Sequence, residues 1–455
     1  MKRHDVAIIG AGPAGMAAAV EACAQDLSVV VLDEQPAPGG QIYRAIETAS
    51  TARRAMLGAD YDAGAALAAA FRASGADYRP GAMVWNIEPG FRLDVSIAGG
   101  SLLLHADAVI VATGAIERPV PLPGWTLPGV MTAGALQILL KSHGGVADDV
   151  VLVGAGPLLY LLASQMLAAG APPRAIVETV PRARHLLALR HLPQALRGWP
   201  YLRKGLAMMH ALRKARVPIH RNARNIRIEG SEAAEAVSFS SGRQTRRIPA
   251  GMVALHQGVV PNQQVTRMLR CAHRWHDTQH CFVPVVDTCF ETTEPGIFAA
   301  GDGAGIGGAV SAALRGRLAA LRVAEKAGRT VPTGAVGALR RTLARDAATR
   351  PFLETLYAPA EEILAPSDET LVCRCEEVTA GQIRTAVADG APGPNQVKSF
   401  LRCGMGPCQG RVCGLAVTEL VAAGRGMSPA DAGYFRIRPP LKPLSLAELA
   451  AIETE

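Results

Sequence analysis

The sequence predicts an α/β protein with two dinucleotide-binding units in one chain, followed by a small helical domain rich in cysteine. Three observations carry this. A β-rich stretch, a glycine-rich turn and an alanine-rich stretch succeed one another from Asp5. The same order recurs from Asp149, and five of the nine cysteines fall between Cys373 and Cys413. At 455 residues the chain is long enough for two or three domains. Its 47 glycines and 4% aromatic residues suit close backbone packing more than a core of large rings.

In the first unit, Asp5 to Ile9 reads as a buried strand and Gly10-Ala-Gly12-Pro-Ala-Gly15 as the turn into a helix reaching Ala24. The first glycine permits the tight turn, the second lets the backbone approach a pyrophosphate, and the third lets helix and strand pack closely. The helix N-terminus then offers its unpaired N–H groups to the anion. A second strand, Ser28 to Leu32, runs into Asp33-Glu34, at the distance expected of a carboxylate that bonds ribose hydroxyls.

Three further segments complete a pattern: Gly39-Gly40-Gln41 after Glu34, Ala108-Val-Ile-Val-Ala-Thr113-Gly114, and Gly296-Ile-Phe-Ala-Ala-Gly301-Asp302. With them the sequence resembles the two-dinucleotide-fold FAD proteins, the group that includes the pyridine-nucleotide disulfide reductases. The resemblance implies a Rossmann-like flavoprotein in which Glu34 bonds the adenosine ribose and Asp302 the ribityl chain. The other reading of Asp302 is a helix N-cap. The expected cofactor contacts are Gly10, Gly12, Ala14, Gly15, Glu34, Gly40, Gln41, Thr113, Gly114, Gly301 and Asp302.

In the second unit, Asp149 to Val153 begins a strand and Gly154-Ala-Gly156-Pro-Leu-Leu159 follows, with leucine where the third glycine belongs. A retained scaffold with impaired nicotinamide binding is the expectation, although the strand Arg174 to Val177 still ends in a possible ribose ligand, Glu178. His256 reads as a packing or hydrogen-bonding residue. The redox-active CxxxxC and CxxC pairs of the disulfide reductases are both missing, which argues against thiol–disulfide chemistry. The uncharged run from Val150 to Pro173 is long enough on paper for a bilayer, but Gly154, Gly156 and Pro157 split it into strand, turn and helix, so no transmembrane span is assigned. Asp5 likewise interrupts what could pass for a targeting segment.

The net charge of +8 is mainly arginine. Much of it falls between Arg182 and Arg224 without regular interleaving of aromatic residues, which speaks against nucleic acid. A solvated basic face and a dock for an acidic partner are the two readings.

The cysteine spacings favour metal over disulfides, and a reducing cytoplasm fits them. Val372-Cys373-Arg-Cys375-Glu precedes a helix from Ala380 to Asp389, and Cys403-Gly-Met-Gly-Pro-Cys408-Gln-Gly-Arg-Val-Cys413 follows it. Two thiolate pairs on loops at helix starts can hold a [2Fe–2S] cluster, two sulfurs per iron; zinc is the alternative for four thiolates. The segment resembles the bacterioferritin-associated-ferredoxin type of [2Fe–2S] domain. Three candidates compete for the second pair; Cys408 and Cys413 are preferred beside Cys373 and Cys375, with Cys403 left open.

Gly-Gly-Gln-Ile-Tyr-Arg after Glu34, the Glu117–Val130 segment, the broken second motif and the cysteine module together resemble the α subunits of heteromeric bacterial opine oxidases. The similar subunits of hydrogen cyanide synthase and of dye-linked hydroxyproline and proline dehydrogenases share them. The resemblance implies domains at 1–120 and 261–330 (FAD), 121–260 (inserted, degenerate NAD-like), 331–369 (linker and helices), 370–430 ([2Fe–2S]) and 431–455 (extended, proline-rich arm). It further implies a β subunit resembling glycine or D-amino-acid oxidases that oxidises a secondary amine, with this chain relaying electrons to an acceptor. An FMN between subunits, a further small subunit, and association with the inner face of the membrane through the acceptor belong to the same expectation. No base or nucleophile constellation for amine oxidation is found, so catalytic residues stay unassigned. The rival readings are an NAD(P)H-dependent FAD/[2Fe–2S] reductase and a scaffold subunit.

Overall fold

The computed structural model describes residues 3–452. The first two residues of the expected first domain and the last three of the expected arm lie outside them. Arg3–Ile9 stands inside a seven-stranded sheet; Val6, Ala7 and Ile8 are fully buried, as a strand covered on both faces requires. On one side it pairs in parallel with Val29–Asp33, which pairs with Asp77–Pro80, and on the other with Gly100–Val111. At 12 residues, Gly100–Val111 serves several partners. Its first half closes an antiparallel meander with Arg92–Ile97 and Met83–Ile87. Its end takes in Ile297–Ala299 in parallel, so a strand from far down the chain completes the first sheet and delivers Gly301 and Asp302 to it.

Helix Pro13–Ala24 lies on this sheet and packs against Ala309–Lys326. The approach is close enough that a Cβ on Gly316 would stand 2.1 Å from the Ala14 carbonyl oxygen. Gly316→Ala must therefore push two core helices apart. It is expected to lower stability by about 1–3 kcal/mol, read as a reduced melting temperature.

The inserted unit is a five-stranded parallel sheet in the order Ile219–His220, Ala175–Glu178, Val150–Ala155, Met252–Gln257 and Val130–Thr132, flanked by a three-stranded antiparallel sheet. The uncharged run divides into strand Val150–Ala155 and helix Pro157–Ala168, with Leu159 fully buried at the missing-glycine position. Among the described residues, no helix is long and apolar enough to cross a membrane. The basic stretch forms helices Arg182–Leu189 and Trp199–Lys214, from which Leu186, Trp199 and Leu206 project at 73%, 50% and 55% exposure.

Past the body, the sequence predicts helix from Leu339 to Ile363 with a break near Pro351. The structure starts it at Ala335 and divides it into Ala335–Asp346, Arg350–Leu356 and Glu361–Leu364. Pro351 stands in a first helical turn, where its missing N–H is not needed. Hairpin Leu371–Cys373/Val378–Thr379 and helices Ala380–Ala388, Pro394–Leu401 and Gly414–Arg425 follow. Val372, Ile383, Val397 and Val417 share one buried core with Ala7, Val30 and Val109 of the first sheet. The cysteine-rich domain is thus welded to the nucleotide sheet. The proline-rich segment beyond it runs back over the meander, where the Leu441 N–H donates to the Trp85 carbonyl at 2.9 Å, and continues into a short helix, Leu446–Ala450.

Candidate functional site

The glycine-rich turn opens into a cavity of about 940 Å³ bounded by the first sheet, the inserted unit and the cysteine-rich domain. Each glycine is required for a different reason. Gly10 has φ +102°, and a Cβ there would lie 2.6 Å from the Ala112 carbonyl oxygen; a Cβ on Gly15 would lie 1.8 Å from that of Gly10. Gly12 has φ −74°, and the nearest protein atom to its Cβ position is the Gly40 Cα at 3.9 Å. Its bareness therefore serves something other than the protein's own packing, as the close approach of a phosphate would.

All the expected cofactor contacts except Gly15 line this cavity. Asp33 is buried and braces the turn: its carboxylate accepts from Ala11 N–H at 2.6 Å and from Gln35 N–H at 2.8 Å, while burial pushes its pKa up. That leaves Glu34 at the cavity wall, ion-paired with Lys442 of the returning segment. Arg411, from the cysteine loop, donates to the Leu441 carbonyl at 3.0 Å and shares the same wall. Gly114 is tied to the inserted unit's exit, its carbonyl accepting from Asn262 N–H at 2.9 Å. One carboxylate oxygen of Asp302 accepts from Gly307 and Gly308 N–H at 2.8 and 3.0 Å, which braces the glycine loop ahead of helix Ala309–Lys326. Asp302 itself lies within the turn Gly301–Ala304 and is not the cap of a helix, and it also lines the cavity.

The second glycine-rich turn opens into this same cavity through Gly156, Pro157 and Leu158. Its possible ribose ligand, Glu178, is buried, accepts from the Tyr160 hydroxyl and lies 3.5 Å from the Arg221 guanidinium. Tyr160, next to Leu159, thus bonds one oxygen of the carboxylate that the sequence offers as a ribose ligand. His256 is buried and bonded through Nδ1 to Glu117 at 2.6 Å, and Glu117 accepts from Gly134 N–H at 2.7 Å; the imidazole fastens the start of helix Ala133–His143.

The five clustered cysteines divide in two. The sulfurs of Cys373, Cys403 and Cys413 lie within 4.8 Å of one another and are buried. Hydrogen bonds from the Cys403 and Cys413 thiols pull Cys373 down to about 2, against the desolvation that would raise it, and push both partners up. Cys375, exposed, touches Cys408 thiol to thiol, and Cys408 lines the nucleotide cavity. This donor set, three buried sulfurs within 4.8 Å of one another with the Cys375 and Cys408 thiols beside them and backbone N–H groups at Cys373, fits an iron–sulfur cluster. Cys403 joins the buried trio because Arg402 and Gly404 both take positive φ, turning the loop inward, a local geometry that motif spacing does not reveal. Lys141, Arg411 and Lys442 are likewise wall residues that no motif announces.

Residues 4–328 match the family described as pyridine nucleotide-disulphide oxidoreductase, and residues 367–453 match the sarcosine oxidase A3 domain. The chain is similar to an opine oxidase subunit of Agrobacterium tumefaciens (strain Ach5), with 48% identity over 465 residues that cover 98% of this chain and 91% of that protein. It is also similar to hydrogen cyanide synthase subunit HcnB of Pseudomonas aeruginosa, with 30% identity over 479 residues and 98% of each chain covered. Among solved structures, L-proline dehydrogenase from P. horikoshii superposes with a TM-score of 0.74 over 98% of this chain and 79% of that one. At 18% identity this shows a shared fold.

Proposed function

This chain belongs to the family of the opine oxidase and hydrogen cyanide synthase subunits that it matches, and we propose accordingly that it relays electrons while a partner subunit takes them from the amine. It is one subunit of a heteromeric flavin-dependent enzyme that oxidises CH–NH groups. Its FAD-binding fold supports FAD. The observation that carries the relay is that Cys373, Cys403 and Cys413 share a buried core with the sheet that carries the dinucleotide turn, with Cys408 on the wall of the cavity.

Bound FAD would supply two-electron chemistry and a [2Fe–2S] cluster one-electron steps. Gly10, Gly12 and the N-terminus of helix Pro13–Ala24 hold the pyrophosphate, Glu34 the adenosine ribose, and Asp302 the ribityl chain. Cys373, Cys375, Cys408 and Cys413 are the four ligands on the motif's pattern; Cys375 already touches Cys408, and Cys373 touches both Cys413 and the alternative donor Cys403. The domain division at 1–120, 121–260, 261–330, 331–369, 370–430 and 431–455 follows the same scheme.

The partner is a β subunit resembling glycine or D-amino-acid oxidases, with an opine, proline or hydroxyproline as its substrate; an interface FMN and a small further subunit complete the reading. The leucines and Trp199 exposed among arginines support a subunit that does not act alone. All nine cysteines are free, which supports a reducing cytoplasm.

Leu159 in place of the third glycine, and Tyr160 bonded to Glu178, support a reading in which nicotinamide is not the electron source. Anaerobic mixing of the flavin-loaded chain with NADH or NADPH is expected to leave the flavin absorbance unchanged. Bleaching within seconds would restore the reductase reading.

A further inference from the structure

Between Glu178 and Glu229 the chain holds ten arginines, two lysines and no carboxylate, so this run alone outweighs the +8 net charge of the whole. It contains helices Arg182–Leu189 and Trp199–Lys214 of the inserted unit. Lys204 pairs with Asp60, and Arg221 and Arg227 lie near Glu178 and Glu369. Arg182, Arg190, Arg197 and Arg203 are exposed, and among the described residues no carboxylate pairs with them. Apolar side chains stand among these cations. Leu186, Leu189, Leu196, Trp199 and Leu206 are each half exposed or more. On the second helix the exposed positions Trp199, Arg203, Leu206, His210 and Arg213 follow at four- and three-residue steps, which places them on one face. On the first, Arg182, Leu186 and Leu189 do the same. Large apolar groups held in water in such numbers mark a surface that another molecule covers.

The pattern narrows what covers it. A second copy of this chain, seated face to face, would oppose cation to cation and repel. A lipid surface takes helices whose apolar stripe is continuous and whose cations flank it. Here Arg203 sits one turn from Trp199 on one side and from Leu206 on the other. Hydrocarbon would strip its hydration, whereas the carboxylates of an acidic protein would pair it. The place also suits electron transfer. Helix Arg182–Leu189 packs on helix Arg350–Leu356, whose Arg350, Leu353 and Glu354 line the cavity, so a protein docked here stands two packed helices from the nucleotide site. We propose that helices Arg182–Leu189 and Trp199–Lys214 are the face on which the amine-oxidising partner subunit docks, through an acidic surface whose apolar centre receives the leucines and Trp199. The proposal rests on the heteromeric reading above.

The whole complex supplies the test. Tagged chain and co-expressed partner subunit are purified together, and dissociation on dilution is followed by analytical ultracentrifugation at low and high salt. The double variant Leu186→Asp/Leu206→Asp is expected to weaken the complex by about thirtyfold or more. Arg203→Glu is expected to weaken it by about tenfold and to flatten its salt dependence. Leu446→Asp, which alters a still more exposed leucine outside this face, is expected to leave it unchanged. Flavin content and melting temperature are expected to match the unmodified chain throughout, since none of these side chains is buried. An undiminished complex in both the double variant and Arg203→Glu would overturn the proposal. So would phosphatidylglycerol vesicles that bind the unmodified chain but not the double variant while both hold the partner equally; the face would then be a lipid anchor. An unmodified chain that co-purifies with no partner subunit would instead remove the heteromeric reading, and this proposal with it.

Discussion

Gly12→Ala is expected to fold as the unmodified chain does and to bind FAD about a hundredfold more weakly, on the order of 3 kcal/mol. The three glycines of one motif separate here by what surrounds them. At Gly12 the backbone is in an ordinary region and the nearest atom to a new methyl is 3.9 Å away, so the protein itself has room. The methyl would stand where the pyrophosphate approaches the turn. At Gly15 the same change places a carbon 1.8 Å from a backbone oxygen, and helix Pro13–Ala24 must leave the sheet. Gly15→Ala is thus expected to lower both solubility and melting temperature, Gly12→Ala neither. Equilibrium dialysis of FAD beside thermal unfolding separates the two; equal FAD affinity in Gly12→Ala and the unmodified chain would remove the phosphate from this turn.

Cys373→Ser is expected to abolish iron binding and to slow electron delivery to a one-electron dye by about a hundredfold or more, with FAD content unchanged. Cys373 sits in the buried trio in contact with both neighbouring thiols, and its loss leaves only Cys375 from the first cysteine pair. Cys403→Ser is expected to keep its iron, because Cys373, Cys375, Cys408 and Cys413 still supply four sulfurs. Iron analysis and low-temperature electron paramagnetic resonance of the dithionite-reduced proteins decide between them. Iron lost from Cys403→Ser and kept in Cys413→Ser would move Cys403 into the ligand set.

The sequence makes legible what is encoded within a few residues. The first turn, its strands and Asp33-Glu34 are local, and so are the broken second turn and the split of the Val150–Pro173 run. What closes the site is long-range. Lys442 reaches Glu34, Gln41 meets Lys141, and Glu117 meets His256, each across a hundred residues or more. No periodicity records such pairings. The inclusion of Cys403 turns on two positive-φ residues. The start of the helix at Ala335 is hidden by the glycines around it, since Gly334 takes a left-handed conformation at the N-cap and Gly337 lies in the first turn. Glu34 reads in the sequence as a free ribose ligand, and in the structure a lysine from the far end of the fold shares it.

If this chain moves electrons that another subunit removes from the amine, its flavin must depend on that partner for reduction. The direct test is anaerobic stopped-flow mixing of an opine with the flavin- and iron-loaded chain, first alone and then reconstituted with its co-expressed partner subunit. No change in flavin or iron–sulfur absorbance is expected for the chain alone, and reduction of both is expected in the reconstituted complex. Reduction of the isolated chain by the opine at the rate of the complex would contradict this division of labour.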